Sequence, residues 1–138
     1  MRVLIVEDES VSAKLLESIV APYGETVRVK NGEEAFDAFC DADEQGRPFD
    51  LILLDIKMPE VDGQEALTAI REYEEARGRV QSDGVKIIMT TGCDDLQNHH
   101  YSHVAGCNDY LTKPIEPEVL IGKLKHLGLL PAEESSGQ

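Results

Sequence analysis

Apolar positions along this chain follow two rhythms that take turns. Short runs with strand-like length and composition occur at Val3 to Val6, Thr26 to Val29, Leu51 to Leu54, Val85 to Thr90 and Asp109 to Thr112. Between the first two, Val11, Leu15, Leu16, Ile19 and Val20 fall at helical spacing and stop at Pro22-Tyr23-Gly24, where the glycine is expected to take the left-handed conformation that ends a helix. Asn31 followed three residues later by Glu34 predicts a capping box and a second helix that turns Ala35, Phe36 and Phe39 inward. That helix is expected to fade into a surface connection over Asp41 to Pro48. After the Met58-Pro59 turn and Gly63, residues Ala66, Leu67 and Ile70 predict a third helix with a charged exterior from Arg71 to Arg79, closed by Gln81 to Gly84. A polar fourth helix is expected over Asp94 to Ala105. The fifth spans Pro117 to Leu127, with Pro117 at its first position and Gly128 at its C-cap.

The order is therefore (βα) five times, an α/β fold with a doubly wound parallel sheet. Leu51 to Leu54 is apolar without alternation and suits a central strand covered on both faces, whereas Thr26 to Val29 alternates as an edge strand would. At 138 residues, one domain is expected over 1–129, with 130–138 as a disordered tail. No apolar run reaches the roughly 18 residues of a membrane span. Met1-Arg2 leads straight into a strand without a signal-peptide pattern, so a cytoplasmic protein with no membrane partner is expected. Thirteen basic against 27 acidic residues give a net charge of −14, which repels phosphate backbones and argues against direct nucleic-acid binding. Cys40, Cys93 and Cys107 are odd in number and widely spaced, and read as ordinary, mostly buried thiols rather than a disulfide framework or a zinc site.

The chemistry sits where the strands end. Glu7 and Asp8 follow the first strand, Asp55 the third, and Lys113 the fifth. In a parallel sheet these ends share one edge, and open α/β sheets bind ligands outside that edge. Clustered carboxylates repel one another unless a cation neutralises them. Mg²⁺, which takes one or two carboxylates and keeps room for phosphate oxygens, is the physical match. With Lys113 as a second positive charge, the set describes a phosphoryl-handling site. No G-x-x-x-x-G-K-[ST] loop occurs, so a nucleoside triphosphate is not the expected donor.

Linked motifs then carry a resemblance. Val-Glu-Asp at 6–8, Leu-Leu-Asp-Ile-Lys-Met-Pro-Glu-Val-Asp-Gly at 53–63, Thr91-Gly92, and Gly-Cys-Asn-Asp-Tyr-Leu-Thr-Lys-Pro at 106–114 resemble, in order and spacing, a bacterial-type response-regulator receiver domain, the family of the stand-alone chemotaxis regulator. The resemblance spans about residues 2–128. It implies the flavodoxin-like strand order 2-1-3-4-5, for which this family is itself a standard example. It also implies that Asp55 accepts a phosphoryl group from a phosphohistidine on a sensor histidine kinase or histidine phosphotransfer protein. Mg²⁺, with Mn²⁺ as a substitute, would be held by Asp8 and Asp55 directly, by Glu7 through a water and by the backbone carbonyl of Lys57. Lys113 would pair with one phosphoryl oxygen and Thr91 with another. Tyr110 would then turn inward and remodel the face formed by the fourth helix, fifth strand and fifth helix, changing contacts with a downstream protein of unknown identity or with a second copy of the chain. Such a switch catalyses only its own phosphorylation and dephosphorylation. Lys113-Pro114 is expected to be cis. Lys57 and Cys93, flanking the path of an attacking water, are expected to set the lifetime of the phosphoryl group, and Gly92 replaces a frequent alanine.

Other readings compete with these. Glu7-Asp8 alone could cap a helix, and Glu72-Tyr73-Glu74-Glu75 reads as a solvated helix exterior or a docking site for a basic partner. His99, His100 and His103 read as a solvated helix face or, less simply, as metal ligands. Thr90 is expected to point away from Thr91 along the strand. An aspartate-nucleophile small-molecule phosphatase would want Asp-x-Asp after its first strand, which Asp8-Glu9-Ser10 and Asp55-Ile56-Lys57 lack. A flavodoxin-type carrier would want a Ser/Thr-rich phosphate loop where this chain has acids. A receiver that has lost its phosphorylation site would not retain every expected residue.

Overall fold

The computed structural model describes residues 1–55, 62–79, 84–91 and 107–131. Five strands, Arg2–Val6 (β1), Glu25–Val29 (β2), Leu51–Asp55 (β3), Lys86–Thr91 (β4) and Asp109–Thr112 (β5), form one parallel sheet in the order β2-β1-β3-β4-β5. Four described helices flank it: Ser10–Val20 (α1), Gly32–Glu44 (α2), Asp62–Ala76 (α3) and Pro117–His126 (α4). The expected helix at Asp94 to Ala105, the Met58-Pro59 turn, residues 81–83 and most of the expected tail lie outside the described residues.

Because side chains alternate across a strand, the sheet has two buried faces. Leu4, Val6, Ile52, Leu54, Ile87 and Met89 pack under α2 and α3, while Val3, Ile5, Leu51, Leu53, Ile88 and Leu111 pack under α1 and α4. All five residues of β3 are buried, as its unbroken apolar run predicts. Leu129 and Leu130 continue onto the second face beyond α4, so packing extends past residue 129.

Three local expectations are corrected. Gly24 is extended, with φ 170°, rather than left-handed; a Cβ there would lie 1.9 Å from the Met1 carbonyl oxygen, so close backbone approach is what requires glycine. α2 does not fade at Asp41 but runs to Glu44, because Ala42 is buried in the core and Asp43 accepts hydrogen bonds from Tyr73 and Arg79. The exterior of α3 is not all solvated: Glu74 is 2% exposed. It lies four and seven residues past the buried Ile70 and Leu67, on their face of the helix, and it pairs with Arg71 at 2.8 Å. Its other oxygen accepts the Val85 amide.

Other caps follow the sequence. The Asn31 side chain accepts from Glu34 N, while Glu34 reaches back to the amide of Lys30, one residue before the cap. Gly128, at φ 81°, closes α4 with Leu129 N bonded to the Leu124 carbonyl.

Candidate functional site

The pairing of β1 with β2 and β3 brings Glu7, Asp8 and Asp55 to one sheet edge. One carboxylate oxygen from each lies within 4.8 Å of the others. Glu7 is fully buried and Asp55 is 3% exposed, whereas Asp8 is exposed. Helix α1 begins immediately after, and its cap is neither Glu7 nor Asp8 but Glu9, whose carboxylate accepts from Val11 N, Ser12 N and Ser12 Oγ. The capping alternative for Glu7-Asp8 is thereby removed, leaving both acids for the edge. Sequence reasoning missed Glu9, although an acid three residues before Ser12 at a helix start is a capping signal.

Lys113 enters from the end of β5 across a cis Lys113-Pro114 bond. Its Nζ stands 3.2 Å from Glu7 Oε1 and 3.3 Å from Asp55 Oδ2. Burial alone would pull the ammonium pKa down, but the charges of Asp55 and Glu7 outweigh it and raise it, so Lys113 is a firmly charged cation. Glu7 shows the strain of the cluster. Burial first, and the neighbouring Asp55 charge second, lift its pKa from 4.5 to about 7, with Lys113 opposing. Two near-buried carboxylates and a third at the mouth, with one lysine among them, leave net negative charge in little water. Such an oxygen-only set fits a hard divalent ion.

Thr91, the last residue of β4, is buried, and its carbonyl accepts the Lys113 amide at 2.7 Å. Thr90 precedes it on the face of Ile88, opposite to Thr91 by strand alternation, and lies across from Asp55 in the ladder. The Thr90 hydroxyl is buried with no partner among the described residues. Thr90→Val, which removes that hydroxyl at constant shape, is expected to stabilise the fold by about 1 kcal/mol. Urea unfolding checks this, and a lowered midpoint would mean that the hydroxyl is bonded after all.

Tyr110 is 36% exposed, and Lys123 lies 6.0 Å from its ring while bonding Asp109 at 3.1 Å. A groove of about 490 Å³ beside it is lined by Tyr110, Lys113, Pro114, Val119 and Lys123, among others. Lys57, Gly92, Cys93 and the three histidines at 99, 100 and 103 lie outside the described residues. Cys40 and Cys107 are half-buried rather than mostly buried, and burial pushes their thiol pKa values up, away from the reactive thiolate. One site neighbour escaped the sequence reading: Arg28, on edge strand β2, donates from Nε to the Glu7 carbonyl at 3.0 Å.

A five-stranded 2-1-3-4-5 parallel sheet with an acidic triad and a lysine at its carboxyl edge is the architecture of a phosphoryl-receiving signalling domain. The family model for the response regulator receiver domain matches residues 3–125, and the chain belongs to that family. The polar-differentiation response regulator DivK of Brucella anthropi is 33% identical over 124 residues, covering 89% of this chain and 92% of DivK. The transcriptional regulatory protein AruR of Pseudomonas aeruginosa is 34% identical over 127 residues, 91% of this chain. Several relatives are much longer: the chain spans 48% of AruR and 7% of a hybrid histidine kinase of Dictyostelium discoideum.

Solved structures agree. The Saccharomyces cerevisiae receiver domain of Ssk1, crystallised with the phosphotransfer protein Ypd1, matches at a TM-score of 0.78 and 30% identity, over 98% of this chain and 93% of that one. The receiver domain of a Pseudomonas aeruginosa sensor histidine kinase, with magnesium in its active site cleft, matches at 0.72 and 29%, over 92% and 97%. The chain is thus a two-component receiver domain, a signalling switch by family. No helix among the described residues is long and apolar enough to cross a membrane.

Proposed function

We propose that this chain is a phosphorylation switch in which Asp55 is the acceptor, working through contacts with other proteins in the cytoplasm. The observation that carries the reading is the meeting at one sheet edge of Asp55, Glu7 and Asp8, with carboxylate oxygens within 4.8 Å of one another, and of Lys113 paired with Glu7 and Asp55. An Asp55 carboxylate oxygen forms a bond to phosphorus as the P–N bond of a donor phosphohistidine breaks, leaving an aspartyl phosphate and a free imidazole. Lys113, already beside Asp55, neutralises a phosphoryl oxygen, and the Thr91 hydroxyl donates to another. Asp8 and Asp55 would hold Mg²⁺ directly, Glu7 through a water, and the Lys57 carbonyl would add a further oxygen. The ion, or Mn²⁺ in its place, would supply charge neutralisation for the phosphoryl oxygens. The donor is a histidine kinase or phosphotransfer protein, a reading supported by the Ypd1 complex of the Ssk1 neighbour. Output runs through Tyr110 and the groove beside it, toward a protein partner or a second copy of the chain. The chain turns over no separate substrate.

Intact-mass analysis after incubation with acetyl phosphate tests the reading. An adduct of about 80 Da that needs Mg²⁺, does not form when EDTA is present during the incubation and is cleaved by hydroxylamine is expected. Its absence with both acetyl phosphate and a phosphohistidine protein would overturn it.

The raised Glu7 pKa adds a second expectation. Metal-free Glu7 is mostly protonated at pH 6 and mostly ionised at pH 8, and a cation must displace that proton. Mg²⁺ affinity is therefore expected to rise about tenfold from pH 6 to pH 8. Calorimetry in buffers of different ionisation enthalpy should register close to one proton released per ion at the lower pH. A flat profile would mean Glu7 is ionised throughout.

A further inference from the structure

Glu7 and Asp8 are joined by one planar peptide unit, so the direction of the Glu7 carbonyl also fixes the course of the chain into Asp8. The Glu7 amide donates to the Val29 carbonyl at 3.1 Å, the last rung of the ladder with β2. Beyond that rung the partner strand has ended and Asn31 caps α2, so the ladder runs out at the Glu7 carbonyl. Arg28 supplies the missing donor, its Nε standing 3.0 Å from that oxygen. The Glu7 side chain has its own restraints, from the Glu9 amide at 3.3 Å and from Lys113. Asp8 has none: it is exposed, and its carboxylate carries no hydrogen bond among the described residues. Its position is set by its backbone alone.

We infer that Arg28 is a positioning residue for the cation site, fixing the Glu7–Asp8 peptide plane through its bond to the Glu7 carbonyl and so aiming Asp8 at the acidic cluster. The inference rests on the reading of Glu7, Asp8 and Asp55 as a Mg²⁺ site. Its chemistry is that of groups which touch no metal yet orient the ligands, and loss of such a partner costs about ten- to a hundredfold in metal affinity. A guanidinium near a cation site also repels the cation, so removing Arg28 outright would mix two opposing effects.

A pair of neutral substitutions separates them. In Arg28→Gln the side-chain amide nitrogen stands the same number of bonds from Cα as the arginine Nε, so the donor survives without the charge. In Arg28→Met a methyl group takes that place and the donor is lost. Mg²⁺ affinity by calorimetry is expected to be about tenfold weaker for Arg28→Met than for Arg28→Gln. In the metal-free protein, the Asp8 amide is expected to have a lower NMR order parameter in Arg28→Met, and to keep the wild-type value in Arg28→Gln. Equal affinities and equal order parameters in the two variants would overturn the inference. So would a lower melting temperature for Arg28→Met in EDTA with Mg²⁺ affinity equal to that of Arg28→Gln, which is what a purely structural strand-end cap would give. A wild type that binds no Mg²⁺ would sink the functional reading, and this inference with it. Tight wild-type binding with indistinguishable variants would sink this inference alone.

Discussion

Asp55→Asn is expected to abolish the aspartyl-phosphate adduct completely while leaving the protein folded, and more stable than wild type in EDTA. Asparagine keeps the shape of the buried side chain but removes the nucleophilic carboxylate, and no other described acid is placed to substitute. Glu7 is fully buried with its oxygens bonded to Lys113 and the Glu9 amide, and Asp8, exposed at the mouth of the cluster, makes no ion pair with Lys113 among the described residues. The stability gain follows from linkage. With the Glu7 pKa raised to about 7, the native state takes up more protons than an unfolded chain whose carboxylate titrates near 4.5. That contribution to stability is intact below about 4.5 and is lost as pH climbs through about 7. The Asp55 charge is the second cause of the raised value, so removing it lessens the loss at pH 8, by an amount of order 1 kcal/mol. Urea titrations of the two proteins in EDTA at pH 8, paired with intact-mass spectra after acetyl phosphate, check both halves. An adduct on the variant would move the acceptor elsewhere, and a less stable variant would show that the Asp55 pairing with Lys113 outweighs the crowding.

The acidic edge was legible in the sequence because its residues follow strands, and strands are written locally: Val3 to Val6 and Leu51 to Leu54 announce themselves by composition, and a parallel sheet does the rest. The strand order came only through the resemblance, since alternation of β and α fixes layers but not neighbours. What stayed hidden depends on contacts far apart in the chain. Gly24 reads as a helix stop, yet its requirement comes from Met1, the residue before the neighbouring strand. Arg28 looks like any polar residue of an edge strand until β1 is laid beside it. Glu74 looks solvated within an acidic run, and only the folded molecule shows the cation that lets it be buried.

That buried pair carries the second large effect. Arg71→Ala is expected to cost about 3–5 kcal/mol, because it strands the Glu74 carboxylate in a nearly dry site. Arg71 also donates to the Val85 carbonyl and to Asn108 Oδ1, each at 2.8–2.9 Å, while Asn108 accepts the Ile87 amide. One guanidinium thus ties α3 to the entrances of both β4 and β5. Arg71→Met/Glu74→Gln should recover a substantial part of the loss, since the glutamine oxygen still accepts the Val85 amide and no charge remains buried. These residues meet the sheet at the amino ends of β4 and β5, opposite the acidic cluster. Mg²⁺ affinity is therefore expected to stay at the wild-type value in both variants under conditions where they are folded. Urea midpoints measured at constant m-value, with Mg²⁺ calorimetry on the same samples, decide it. A single variant as stable as wild type would mean that water reaches Glu74. A loss of Mg²⁺ binding in the folded double variant would mean that the two ends of the sheet are coupled through β4.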